Sequence, residues 1–99
     1  MFYQQGDVII EVAQIPKDAK PKEGSILAEG ESTGHAHRVE CENAQLLELG
    51  SRLFLRIMAG NAKVVHEEHA EIELLPGEYE VRGVQEYDHF AEETRRVQD

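Results

Sequence analysis

Apolar residues in this chain recur at every second position in short bursts, and turn-forming residues cut each burst off after a few positions. The clearest burst is D-V-I-I-E-V at 7–12, where Val8, Ile10 and Val12 share one parity and Ile9 takes the other. Successive side chains of an extended strand point to opposite faces, so this spacing predicts a strand buried mainly on one side. The same period returns in Leu53, Leu55 and Ile57 against Arg52, Phe54 and Arg56, and again in Ile72 and Leu74 against Glu71 and Glu73. Further strands are expected at Ser25–Glu29, from His35 through Val39, at Gln45–Leu49 and at K-V-V-H from Lys63. A last long strand runs from Tyr79 to Tyr87, with Gly83 as a bulge or bend. Gly50-Ser51 is a two-residue connection suited to a tight hairpin; G-E-S-T-G at 30–34, Ala59–Ala62 and Pro76-Gly77 mark other reversals. Between Ile15 and Glu23, Pro16 and Pro21 interrupt both helix and ladder, so an exposed loop is expected there. No stretch carries an i, i+3, i+4, i+7 apolar stripe, and the best helical segment, Phe90–Val97, supports one or two turns. The pattern predicts an all-β single domain over residues 1–99, a small barrel or sandwich of about seven short strands.

Size and charge narrow the function classes. With 99 residues the chain buries only about 60–65% of its unfolded surface, enough for one thin core. Twenty acidic residues against ten basic ones give a net charge of −10, which repels nucleic acid. The adjacent Arg95 and Arg96 lie among Glu92, Glu93 and Asp99 and read as a solvated end, not a phosphate site. No apolar run reaches the ~18 residues of a membrane helix, and polar residues from Gln4 to Asp7 leave no room for a secretory leader after Met1. One cysteine, Cys41, makes no intrachain disulfide and agrees with a reducing compartment, so the cytoplasm is the expected location. A thin core also gains from subunit burial, which makes a homo-oligomer or a protein partner an expectation.

Chemistry concentrates in the histidines. Five fall at 35, 37, 66, 69 and 89, and four of them form two tight pairs, H-A-H and H-E-E-H. On a strand, residues i and i+2 share a face, so His35 and His37 can converge on one ion. His66 and His69 differ by three and would oppose each other on an unbroken strand, so they share a site only where a turn or bulge falls between them. H-E-E-H is one residue short of the helical H-E-x-x-H of metalloproteases and is flanked by strand-like segments. The set His35, His37, His66 and His69, with Glu40, Glu42, Glu67 or Glu68 as a carboxylate candidate, suits a divalent transition metal such as zinc, iron or nickel. Two other readings use the same residues: imidazoles that only bond loop carbonyls in a non-enzymatic interaction domain, and a cluster that senses protons near neutrality.

No complete catalytic signature accompanies them, and whether the chain is an enzyme stays open. Cys41 lies between Glu40 and Glu42, a setting that disfavours the thiolate. Ser25, Ser32 and Ser51 have no nucleophile-elbow context, and G-E-S-T-G lacks the Gly-Lys ending of a phosphate loop. Tyr79 and Tyr87 read as strand aromatics.

The blocks G-D-V-I-I at 6–10, L-A-E-G-E-S-T-G-H-A-H-R-V at 27–39, H-E-E-H-A-E-I-E-L-L-P-G-E-Y-E-V at 66–81 and Q-E-Y-D at 85–88 resemble a family of small, uncharacterised bacterial and phage-associated proteins. That resemblance implies that His35, His37, His66 and His69 belong to one pattern. A looser likeness is to the cupins, metal-binding β-barrels whose first motif spaces Gly, H-x-H, Glu and Gly much as Gly30, His35, His37, Glu42 and Gly50 are spaced here. The second cupin motif is not matched, because Pro76-Gly77 lacks its spacer residue and the next histidine, His89, lies far downstream. The likeness therefore implies that a fourth ligand comes from His66 or His69.

Overall fold

A computed structural model describes residues 2–29 and 34–83. Ten strands are found there: β1 (Phe2–Gln5), β2 (Val8–Val12), β3 (Lys20–Lys22), β4 (Ile26–Glu29), β5 (Ala36–Glu40), β6 (Ala44–Leu49), β7 (Arg52–Ile57), β8 (Ala62–Val65), β9 (Ile72–Leu74) and β10 (Gly77–Gly83). They build two antiparallel sheets, one in the order β1-β2-β10-β7-β6-β3 and one in the order β4-β5-β8-β9. The all-β expectation holds, and of its two forms the molecule is an open sandwich and not a closed barrel.

The period-two pattern explains how the sheets pack. Val8 and Ile10 of β2, Leu55 and Ile57 of β7, and Tyr79 and Val81 of β10 turn inward from the larger sheet. They meet Leu27, Val39, Val64 and Leu74 from the smaller one. Each aliphatic side chain buried this fully contributes about 1.5–3 kcal/mol. The outer face of the larger sheet carries the alternate residues. There Arg82 pairs with Glu11, Arg52 with Glu80 and Arg56 with Glu78 across neighbouring strands. On the same outer face Ile15, Leu47 and Phe54 form a second apolar cluster.

The strand count exceeds the seven expected, for identifiable reasons. The polar FYQQ segment forms β1 because it pairs with β2 in register, Tyr3 opposite Ile10 and Gln5 opposite Val8. Part of the proline-containing loop is a strand after all: Pro21 sits in β3 opposite Leu47, at the sheet edge, where a missing N–H costs no ladder bond on the open side. Gly83 is no bulge; it pairs in register with Val8, and the register shift lies in β4 between Ile26 and Ala28. The hairpin at Gly50-Ser51 forms as expected, with Gly50 at φ 60°. The last strand is described to Gly83; Tyr87, His89 and the Phe90–Val97 helical segment lie outside the described residues. Among the described residues no helix is long and apolar enough to cross a membrane.

The chain alternates between sheets, so that β5 begins, β8 ends and the β1–β2 turn closes at one common end of the sandwich. Both histidine pairs belong to that end.

Candidate metal centre

His37 enters this end on β5, sharing the inward parity of Val39, and only 3% of its surface is exposed. His35 precedes the strand on the same parity and is half-buried. The second pair arrives differently. β8 stops at Val65, and the chain bends through residues 66–71 before β9. With no unbroken strand between them, His66 and His69 are released from opposite faces and turn to one side, meeting the condition that their spacing imposes.

The four imidazoles gather around His66. Its ring centre lies 4.3 Å from that of His37, 4.7 Å from His69 and 5.7 Å from His35. His37 and His69 stack at 6.1 Å. Imidazoles that share one ion at nitrogen–metal distances of about 2.0–2.1 Å have ring centres roughly 5 Å apart, and the three spacings about His66 lie to either side of that value. Among the described residues the ligand atoms that lie within 4.8 Å of one another are those of His35, His66 and Glu67; His37 and His69 join this set through ring contacts with His66.

Gln5 determines which nitrogen His37 offers. Its amide nitrogen donates to Val64 O at 2.9 Å and to Ala70 O at 2.8 Å, both of which only accept. Its oxygen must therefore be the atom 2.8 Å from His37 Nδ1, and that nitrogen must carry the proton it donates. The remaining nitrogen, Nε2, keeps a free lone pair. Glu68 stands in a comparable relation to His35, its Oε1 3.5 Å from Nδ1. An acceptor behind Nδ1 that fixes tautomer and ring orientation is the usual support of a metal-bound histidine. His66 is the exception, since its Nδ1 accepts the Glu68 N–H at 3.0 Å. An ion bound through His66 must displace that bond or take the opposite tautomer.

The acidic candidates separate by position. Glu67 accepts from Arg38 Nη1 at 2.7 Å and from Ala36 N at 2.8 Å, one on each oxygen. Arg38, and after it the Ala36 amide, hold its carboxyl down to about 2. Glu67 thus ties the 66–71 bend to the start of β5, and both its oxygens are already engaged. Glu40 lies at the far end of β5 opposite Lys63, away from the cluster, and Glu42 falls in the turn beyond it. Cys41 packs against the core with Sγ toward Ala59 O, and Tyr79 donates to Leu75 O at 2.6 Å; neither is part of the cluster.

His37 loses affinity for its second proton through burial first, then through the nearby His66 and His69, with Asp7 and Glu67 acting the other way. The unfolded chain therefore takes up a proton near 6.5 that the folded one refuses. Stability is full above that value and falls as the pH drops below it. Glu67 adds a lower window, in which stability is lost between about 4.5 and about 2 as its carboxylate is protonated. Melting temperatures of metal-free protein should accordingly fall in two steps, one below pH 6.5 and one below pH 4.5; a flat profile between pH 7 and 5 would contradict the first.

In the sequence Gly6 stands out only as the first residue of the G-D-V-I-I block. It sits in the β1–β2 turn at φ +56°, and a Cβ placed on it would lie 2.5 Å from His69 Nε2. The His69 ring lies directly over the Gly6 backbone. Gly6→Ala is expected to cost about 1–2 kcal/mol from left-handed backbone strain and to push the exposed His69 ring out of the cluster. Thermal melts with and without zinc check both: a lower melting temperature without ion, and a smaller rise on adding it.

The model of a family described as a domain of unknown function, DUF8820, matches residues 4–84, a span that contains both histidine pairs, Gln5 and Gly6. No curated protein and no solved structure matches the chain.

Proposed function

The chain belongs to the DUF8820 family, a domain of unknown function, and for it we propose a small metal-binding role in which His35, His37, His66 and His69 ligate one divalent transition metal. The observation that supports this most is the gathering of four imidazoles from two separate sequence pairs, with the Nδ1 of His37 already committed to Gln5. Imidazole nitrogens suit zinc, iron or nickel, and an all-histidine set fits zinc without strain. Glu67 and Glu68 act from behind, the first anchoring the bend and the second orienting His35. The net charge of −10 favours cation approach, and the cytoplasm, where a lone thiol stays reduced, is the compartment this reading assumes.

Protein purified without a histidine tag should carry close to one transition metal per chain by elemental analysis. Chelator should lower its melting temperature, and zinc should restore it. An ion present at a thousand times its Kd stabilises the folded state by about 4.1 kcal/mol. Absence of near-stoichiometric metal, together with a melting temperature indifferent to added zinc, iron and nickel, would leave the histidines as structural residues of an interaction domain.

A further inference from the structure

The end of the sandwich opposite the histidines has a different composition. Three segments meet there: 12–14 at the close of β2, 58–62 leading from β7 into β8, and 74–77 leading from β9 into β10. Register joins them to the strands around them, with Val12 opposite Tyr79, Ile57 opposite Gly77 and Ala62 opposite Leu74. The second and third carry the chain from one sheet to the other and so cover the end of the core. None of these residues is charged, in a chain where 30% are. Val12, Met58 and Leu75, at 54%, 57% and 59%, are the most exposed large apolar side chains among the described residues. The backbone that presents them is fixed. Tyr79 donates to Leu75 O at 2.6 Å, Met58 N to Asn43 O at 2.8 Å and Ala13 N to Glu78 O at 3.1 Å. Association through a surface already held in place loses little freedom.

Charge identifies what fits against this end. Two copies of a chain at −10 repel one another, and a charge buried between them without an opposite partner adds a desolvation cost. Other parts of the surface carry such charges. Arg–Glu pairs stand on the outer face of the larger sheet, Lys20 and Lys22 flank Pro21 on the β3 edge, and Lys63 and Glu71 lie beside β8. The neutral end avoids both costs. It is also complementary to itself: its aliphatic carbon can meet its own kind, and the exposed Gln14 amide holds donor and acceptor groups together. A two-fold axis sets a surface against its own copy and so requires that property.

We propose that the chain forms a two-fold dimer through this end, with Val12, Met58 and Leu75 of each copy buried against the other. The histidine clusters then lie at the two far ends of the assembly, and the dimer is independent of the metal reading.

Sedimentation of the full, metal-free chain over a range of concentrations tests this. The parent protein should be a dimer. Leu75→Glu should weaken it at least about tenfold, because like charges then face each other across the contact. Adding Met58→Glu should leave monomers with an unchanged circular dichroism spectrum. Ile26→Glu, which puts the same charge on an exposed residue of β4, should leave the dimer in place. Raising the salt from about 0.01 M to about 0.15 M shortens the screening length from about 30 Å to about 8 Å and should tighten the dimer by screening the net repulsion. A parent chain still monomeric at about 0.1 mM, where interfaces of ordinary size are already associated, overturns the proposal. So does a dimer that survives both glutamates, that Ile26→Glu dissociates, or that salt weakens, since each places the contact elsewhere. Should the double variant not fold, Leu75→Glu and the salt response decide.

Discussion

His37→Ala is expected to reduce ion affinity by more than about 100-fold, a larger loss than the ~10–100-fold that follows from removing an orienting partner alone. Of the four histidines it is the most buried, and its free nitrogen is the one whose tautomer the surroundings specify. His69, by contrast, is exposed, its ring lying over Gly6 and against those of His66 and His37, so His69→Ala should weaken binding less. His37→Ala also strips the Gln5 oxygen of its buried partner, which should cost about 1–3 kcal/mol without any ion present. The pH profile separates the two effects. Because the fall in stability below pH 6.5 arises from a folded-state imidazole that resists protonation, the variant should lose that step while keeping the Glu67 step at lower pH. Isothermal titration with zinc and melting curves from pH 7 to 3 measure both; unchanged zinc affinity would remove His37 from the ligand set.

Gln5→Leu is the second large effect. It removes two donors from Val64 O and Ala70 O and the acceptor behind His37. Orphaned buried groups cost about 1–3 kcal/mol each, and Ala70 O lies near enough to solvent to recover part of its loss, so a destabilisation of roughly 2–4 kcal/mol is expected. Ion affinity should fall about 10–100-fold although no ligand is altered, since the His37 ring loses its fixed tautomer. Gln5→Glu divides the two roles. A carboxylate still accepts from His37 Nδ1 but faces two carbonyl oxygens it cannot bond, so stability should suffer at least as much and zinc affinity less. Imidazole nitrogen chemical shifts of the metal-free protein read the tautomer directly: a protonated Nδ1 on His37 in the parent, a mixture in Gln5→Leu. Nε2 protonated in the parent would remove the positioning role, whatever the metal result.

Much of the fold was legible in parity. Val8, Ile10 and Val12, or Leu53, Leu55 and Ile57, announce one buried face because strand geometry allows few other readings. The strands missed were those whose existence depends on a distant partner. β1 is polar along most of its length and persists through its ladder with β2, while β3 is three residues with a proline at the centre, held by the edge of β6. Local preference says little where pairing decides. The candidate site divides in the same way. Tight spacing drew attention to His35, His37, His66 and His69, and the structure gathers their rings. Gln5 and Gly6 escaped because their roles lie across sequence separations of about sixty residues. The one available signal was that Gln5 shares the inward parity of Tyr3 just before a glycine. A glutamine at an inward position must satisfy three hydrogen-bonding atoms, and finding where they go requires the fold.

The place of β10 has a consequence for biosynthesis. This strand, the last described, lies in the middle of the larger sheet, joined on one side to β2 and on the other to β7. Until it leaves the ribosome, the N-terminal hairpin has no neighbour to dock against and Gln5 has no settled approach to Val64 and Ala70. Pairings between segments so far apart in the chain slow folding into the millisecond-to-second range. A nascent chain therefore carries all four histidines before β10 is in place, and the gathering of their rings waits until that strand joins β2 to β7 in the larger sheet.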